Sequence, residues 1–346
     1  MLDVGTVIGG YRVVSHLATG GMGEIYKVVH VDRGTTHALK YLPLANSRIR
    51  KRLQREADLQ TKLSHPNVVT LTEVIDVNGD PGLVMEFVDG PSLARWLRDH
   101  KPTLEESERL FRGVVSGVGH AHRKGMVHRD LKPSNILLAR TPEGIAPKVA
   151  DFGIAKALSD EGQEKLTRTG HSLGSPAYMA PEQITNAHGV DQRADIFALG
   201  CLLYELVCGE RAFKGDDTLE VLNAVSHGHY TPPEQVKADL PKRFTVTIKR
   251  CMARDARERF PNCEDLVDSL GGDTLVDEDG PKGRPAGIEQ DTEPRERPWS
   301  MEKTRPMSVP PMPRAAVEGV AGIVLTVIVL AAALLLGVLG AWAILG

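Results

Sequence analysis

The stretch that decides the fold is VHRDLKPSN, residues 127–135, a polar loop near the middle of a chain of 346 residues. It places a carboxylate, an ammonium and an amide close together, at Asp130, Lys132 and Asn135. Ordinary loops also carry such residues, and a string this short has some chance rate. Its meaning therefore depends on the strings that flank it.

Further strings lie on both sides of this loop in a fixed order. Before it come the glycine-rich run LATGGMGEIY (17–26), the tetrapeptide HALK that ends at Lys40, and Glu56 in a helix-like segment. After it come VADFG (149–153) and GSPAYMAPE (174–182). All of these strings, in this order and spacing, do not arise together by chance.

In these motifs the chain resembles the eukaryotic-type protein kinases, and more closely the bacterial membrane-bound serine/threonine kinases. The resemblance covers about residues 8–270 and implies one catalytic domain over 1–270. The implied fold class is α+β, a bilobal protein-kinase fold. We expect a β-rich N-lobe over about 8–88 and a mainly helical C-lobe over about 92–270.

Hydrophobic periodicity agrees with two lobes. Short strand-like runs fill the first ninety residues, and helical periodicity dominates from about Ser92 onwards. One helix interrupts the strands, with Leu53, Leu59 and Leu63 expected on a single apolar face. Such an arrangement predicts a cleft between the lobes, which is a usual place for a ligand.

The resemblance implies four catalytic residues, and phosphoryl transfer requires such groups because it depends on positioning and charge neutralisation. Asp130 would orient the substrate hydroxyl and accept its proton, and Lys132 would face the γ-phosphate. Lys40 would hold the α- and β-phosphates, and an ion pair with Glu56 would fix Lys40.

The implied cofactors are ATP and Mg²⁺. Asn135 and Asp151 supply the hard oxygen ligands that Mg²⁺ prefers. Met85 would stand at the gate of the adenine pocket, with the Glu86–Val88 backbone pairing to the base. The residues assigned to ATP are Leu17, Ala18, Gly20, Gly21, Gly23, Ile25, Ala38, Lys40, Glu86, Val88 and Leu137.

The glycine-rich run departs from the family pattern, because Ala18 stands where the first glycine is expected. A methyl group there costs on the order of 1 kcal/mol if the position needs positive φ. We expect an active enzyme with weaker ATP affinity. The alternative is a membrane-anchored pseudokinase scaffold, and a small-molecule kinase is a third reading that GSPAYMAPE disfavours.

The predicted function is transfer of the ATP γ-phosphate to Ser/Thr hydroxyls of proteins, because DLKPSN has its lysine where serine/threonine kinases of the family have it. Thr167 and Thr169 stand where bacterial relatives carry activating phosphothreonines. We hypothesise autophosphorylation there, with a phosphate that pairs with Arg129 and orders the loop. DARER (255–259) would place Arg259 beside Glu182.

Composition excludes two other classes. A formal net charge of -3 argues against nucleic acid as a partner, since that role needs a clearly basic face. The four cysteines are too scattered for a disulfide scaffold and are expected as reduced thiols. The first residues lack the pattern of a signal peptide, so we expect the N-terminus in the cytoplasm.

The C-terminal part changes character twice. Residues 271–316 are rich in proline and charge, which predicts a disordered linker. Residues 319–345 carry no charge and predict a single transmembrane helix with no folded domain after it. Small residues recur at 333, 337 and 341, a spacing that is compatible with a homodimer formed through this helix. The expected location is the inner (cytoplasmic) membrane, with the kinase domain in the cytoplasm.

Overall fold

The structure is a computed structural model that describes residues 2–20, 23–43, 47–142, 144–152, 176–185 and 189–271. Within these ranges no helix is long and apolar enough to cross a membrane. The predicted membrane helix and, apart from Gly271, the predicted linker lie outside the described residues. The described residues all fall in one compact unit, Met1–Asp279.

The N-terminal part is an antiparallel sheet with the strand order β1-β2-β3-β4-β6-β5. Alternate side chains of neighbouring strands are buried on one face, as Tyr11, Val13, Tyr26 and Val28 show. This face forms a core with strands β4 to β6. The strands are β1 Val7–Ile8, β2 Tyr11–Gly20, β3 Gly23–His30, β4 Thr36–Tyr41, β5 Leu71–Val77 and β6 Asp80–Glu86.

Helix α1, Ser47–Gln60, packs on this sheet through a face that agrees with the prediction in part. Leu53, and Leu63 just after the helix, are buried as predicted. Leu53, Ala57 and Gln60 are buried, whereas Leu59 is 41% exposed. Leu59 lies six positions after Leu53, and at 3.6 residues per turn this spacing puts the two side chains on different sides of a helix. The prediction that Leu59 shares the buried face was therefore wrong.

The C-terminal part is mainly helical, as predicted. Its central helix α5 is apolar all round and is buried along nearly its whole length. Helix α3 begins with a capping box between Thr103 and Glu106. The elements are α2 Leu93–Asp99, α3 Leu104–Arg123, β7 Ile136–Thr141, β8 Gly144–Val149, α4 Pro181–Thr185, α5 Arg193–Cys208, α6 Thr218–His227, α7 Pro233–Val236, α8 Lys242–Cys251 and α9 Cys263–Leu270.

The cysteines are free thiols, in agreement with the prediction. Cys201, Cys251 and Cys263 are buried, and Cys208 is partly exposed. Burial raises the pKa of the Cys208 thiol to about 11. The thiols therefore stay protonated near neutral pH and act as small packing groups.

The two lobes are joined beside strand β8. The Asn67 side-chain amide donates to the Pro147 carbonyl at 2.8 Å, and Val69 N donates to Val149 O at 2.8 Å. Gly117 of α3 permits this approach, because a Cβ there would crowd the Asn67 carbonyl oxygen. Strand β8 is consequently held against both lobes.

Candidate active site

The loop at 127–135 brings three predicted residues into one hydrogen-bonded group. The Lys132 ammonium lies 2.8 Å from Asp130 Oδ2 and 3.0 Å from Oδ1. The Asn135 side-chain amide donates to the Asp130 carbonyl oxygen at 2.8 Å and to its Oδ2 at 3.2 Å. A 3-10 turn, Pro133–Asn135, sets this spacing. The Asp130 carboxylate is therefore held from both sides.

The backbone of this loop is anchored by Asp195 of α5, whose side chain is buried. Its two carboxylate oxygens accept from His128 N at 2.7 Å and from Arg129 N at 2.8 Å. Arg129 has φ = 68°, which is costly for a residue with a side chain. The hydrogen bonds to Asp195 offset this strain immediately before Asp130.

A histidine adds a third donor to the same carboxylate. His122 Nε2, near the end of α3, lies 2.8 Å from Asp195 Oδ2. Burial alone would raise the pKa of the Asp195 carboxyl, but the His122 hydrogen bond and the other donors outweigh burial and hold it below the usual value. Asp195 is therefore a stable anion inside the C-lobe.

Two further contacts link the loop to its neighbours. His128 Nε2 lies 2.8 Å from the Ala150 carbonyl oxygen, and its ring contacts the Phe152 ring at 4.7 Å between centroids. The Gln183 side-chain amide donates to the Arg129 carbonyl oxygen at 2.8 Å. The loop is thus tied both to the VADFG segment and to α4.

Lys40 and Asp151 form an ion pair across the lobes. The Lys40 ammonium, on β4 and nearly buried, lies 2.8 Å from Asp151 Oδ1. Burial would raise the pKa of the Asp151 carboxyl, but the Lys40 ammonium outweighs it and lowers the pKa below its usual value. The ion pair of Lys40 in this structure is with Asp151, so a Lys40–Glu56 pair stays a prediction.

The donor set fits a magnesium ion. Asp151 offers a carboxylate. The Asn135 side-chain nitrogen, Nδ2, donates to Asp130, so the side-chain oxygen, Oδ1, can serve as a metal ligand. Within the described ranges no group of three or more His, Cys, Asp or Glu side chains forms a metal site. A bound ion would therefore complete its shell with phosphate oxygens and water, which is the usual arrangement for Mg²⁺.

The glycine-rich run forms the end of β2 and the start of β3. Ala18 lies opposite Ile25, just after a register shift between His16 and Ala18 in the pairing of β2 with β3, and is not among the residues with positive φ. The conformational cost of alanine considered above therefore does not arise. Gly23 differs, because its φ is 145° and a Cβ would overlap the Tyr41 carbonyl oxygen. Gly21 lies outside the described residues.

The predicted adenine walls come from both lobes. Val88 and Leu137 pack against one buried cluster that includes Met85 and Ala150. Ala38 of β4 pairs with Met85 of β6. In the same sheet, Ile25 pairs with Ala18 and with Lys40, and Leu17 at the edge is 47% exposed.

The Glu86 side chain has a structural task besides the predicted nucleotide role of its backbone. Its Oε1 accepts from Lys148 Nζ at 2.9 Å and from Thr70 N at 2.8 Å. The backbone N–H of Glu86 donates to Thr70 O at 2.9 Å. The segment that joins the lobes is therefore held from the N-lobe by Thr70 and from the C-lobe by Lys148.

The predicted pair of Arg259 and Glu182 is confirmed. Arg259 is buried and donates to both Glu182 oxygens, at 2.7 and 2.8 Å. Such a bidentate bond fixes the segment after GSPAYMAPE to the C-lobe core. Thr167 and Thr169 lie outside the described residues, so the phosphorylation sites stay a prediction.

Sequence reasoning gave no role to three residues that shape this site. These residues are Asp195, His122 and Gln183. Each acts through contacts with residues more than 50 positions away. A buried aspartate within the apolar run of α5 was the one available signal, since such a group must be paired.

Comparison with known proteins identifies the family of this chain. Residues 11–269 match the protein kinase domain family, so the chain belongs to that family. It is 36% identical over 273 residues to the serine/threonine-protein kinase PknJ of Mycobacterium tuberculosis, which covers 77% of this chain and 46% of PknJ. PknE of the same species is 35% identical over 266 residues, with 76% of this chain and 46% of PknE covered.

The chain spans about half the length of the curated relatives that it matches. Among solved structures it is similar to the Mycobacterium tuberculosis PknI kinase domain, with 27% identity and a TM-score of 0.62. That match covers 78% of this chain and 99% of the PknI domain. The resemblance to bacterial eukaryotic-type kinases is thereby confirmed, together with the bilobal fold.

Proposed function

We propose that this protein is an ATP-dependent serine/threonine protein kinase that uses Mg²⁺. The observation that carries the proposal is the Asp130 carboxylate, which contacts Lys132 and stands on a loop anchored by Asp195. Across the cleft, the ion pair of Lys40 with Asp151 brings together an ammonium for the phosphates and a carboxylate for the metal, and the reaction needs both groups. Nothing in the fold or the relatives favours a pseudokinase.

In the proposed reaction Asp130 orients the acceptor hydroxyl and takes its proton as the bond from the hydroxyl oxygen to the γ-phosphorus forms. The bond from the γ-phosphorus to the bridging oxygen of ATP breaks, and ADP leaves. Asn135 and Asp151 would hold Mg²⁺, which would offset the negative charge of the ATP phosphates. Lys132, already beside Asp130, contributes a positive charge where the transferred group would pass. Lys40, fixed by burial and by Asp151, is placed to hold the remaining phosphates.

The substrate class and the setting are part of the proposal. The relatives are named serine/threonine-protein kinases, which supports hydroxyl groups of proteins as acceptors. Thr167 and Thr169 would be autophosphorylated, and Arg129 beside the catalytic aspartate would pair with the phosphate. The uncharged segment 319–345 would anchor the protein in the cytoplasmic membrane and leave a homodimer open.

The test is transfer of labelled γ-phosphate from ATP·Mg²⁺ by the full chain in detergent, to itself and to a generic basic protein. We expect transfer by the wild type, and a loss of at least about a thousandfold in Lys40→Met and Asp130→Asn. Mapping of the label by mass spectrometry should place it on Thr167 or Thr169.

A surface substitution provides the matched control. Lys214→Met removes an exposed lysine that pairs with Glu210 and should leave transfer unchanged. Wild-type protein that binds ATP and is folded but transfers no phosphate would overturn the proposal in favour of a scaffold. Label retained in Asp130→Asn would overturn the role of the carboxylate.

A further inference from the structure

A buried thiol contacts the histidine that supports the catalytic loop. Cys263, the first residue of α9, places its Sγ 3.7 Å from His122 Nδ1, within the longer range of sulfur hydrogen bonds. The other ring nitrogen of His122 faces Asp195 at 2.8 Å. Three helices, α9, α3 and α5, therefore meet in one chain of polar contacts.

The groups present fix the direction of one of these hydrogen bonds. Asp195 is an anion and can only accept, so His122 Nε2 must carry a proton. A thiol can donate to a bare Nδ1 or accept from a protonated one. Burial raises the pKa of the Cys263 thiol strongly, so the sulfur keeps its proton and can form a hydrogen bond with Nδ1 in both forms of the ring.

The contact has consequences for the loop because a ring held at one nitrogen can pivot about that bond. With both nitrogens engaged, the plane of the His122 ring is fixed and its Nε2–H stays aimed at Asp195 Oδ2. The same oxygen accepts from His128 N. Movement of the ring would therefore disturb the carboxylate that holds the strained backbone before Asp130.

We infer that Cys263 is a positioning residue for phosphoryl transfer, whose thiol orients His122 and, through Asp195, the backbone of the catalytic loop. The inference rests on the proposed kinase function for its effect on rate. Its effect on the loop itself is independent of that function.

The test compares Cys263→Ala, which removes the hydrogen-bonding group, with Cys263→Ser, which keeps one. Cys251→Ala is the matched control, since Cys251 is also a buried thiol but packs against Gly200 of α5. In the full chain we expect Cys263→Ala to lower kcat about three- to tenfold with the KM for ATP unchanged. Cys263→Ser should restore kcat to within about twofold of the wild type, and Cys251→Ala should leave it unaltered.

Hydrogen exchange gives a readout that does not depend on activity. Amides of the segment 126–131 should exchange faster in Cys263→Ala than in Cys251→Ala, with those of α3 as an internal reference. Equal kcat and equal exchange in these two variants would overturn the inference. If the wild type transfers no phosphate, the proposed function fails, and the exchange data still decide whether Cys263 orders the loop.

Discussion

The two halves of the candidate active site are stabilised in different ways. The C-lobe half is a polar loop whose backbone and side chains are fixed by buried charged groups, above all Asp195. The N-lobe half, formed by β2 and β3, depends on antiparallel backbone pairing that is interrupted by two register shifts, and on one glycine that avoids a clash, Gly23. The C-lobe half should therefore be sensitive to lost hydrogen bonds, and the N-lobe half to added atoms.

The largest effect should come from Asp195→Asn. The amide group presents a donor to backbone N–H groups that also donate, so at least one of the bonds to His128 and Arg129 is lost. We expect at least about a hundredfold lower kcat and a fall of about 3 kcal/mol in the free energy of unfolding. Phosphoryl-transfer kinetics and urea titration measure these quantities.

Asp255→Asn serves as its control. Asp255 is an exposed aspartate that caps a short 3-10 turn, Ala256–Glu258. Its loss should leave kcat within about twofold and cost little stability. Asp195→Asn with wild-type kcat would mean that the anchored backbone does not govern the reaction.

The N-lobe half is tested by Gly23→Ala against Gly20→Ala. Alanine at position 23 would have to adopt φ = 145°, and its Cβ would overlap the Tyr41 carbonyl oxygen. A Cβ on Gly20 meets only Gly23 O, at 3.8 Å. We expect Gly23→Ala to raise the KM for ATP about tenfold or more, and Gly20→Ala to change it less than about threefold. Equal values for the two variants would show that the backbone at Gly23 adjusts freely.

The same contrast explains what the sequence could predict. Asp130, Lys132 and Asn135 were predictable as a group, because they lie within six residues and one turn brings their side chains together. Strands β2, β3 and β4 match strand-like runs of the sequence. Asp195 and His122 were not predictable, because their roles depend on how distant helices pack. The prediction for Leu59 was wrong for a related reason, because it placed Leu59 on the buried face from its residue type and not from its angular position around the helix.

A pair of amide side chains sharpens the comparison further. Gln60 of α1 is buried, and its Nε2 has no hydrogen-bond partner in the part of the chain that the structure describes. Gln183 of α4 accepts from Ala180 N at 2.9 Å and donates to Arg129 O at 2.8 Å. One amide is therefore satisfied at both ends, and the other carries an unpaired donor.

We expect Gln60→Leu to raise the free energy of unfolding by about 1–2 kcal/mol, because it removes a buried unsatisfied donor. Gln183→Leu should lower it by about 1–3 kcal/mol and also reduce kcat, since it leaves the Arg129 carbonyl without its donor. Urea titration of both variants measures the signs. A loss of stability in Gln60→Leu would show that its amide is paired in solution.

The smallest effect is a pH dependence that separates Asp195 from surface carboxylates. The pKa of Asp195 is lower in the folded protein than the value of about 3.9 for a free aspartate. Its charged form thus stabilises the fold above pH 4, and this contribution is lost as pH falls through the folded-state pKa. The gap in the free energy of unfolding between wild type and Asp195→Asn should therefore be constant from pH 7 to about 5 and narrow below about 4.

Because the carboxylate is buried, 0.5 M salt should not change the gap, whereas the contribution of an exposed carboxylate would be screened. A gap that stays constant down to pH 3, or that closes with salt, would place the origin of the Asp195 effect outside its charge.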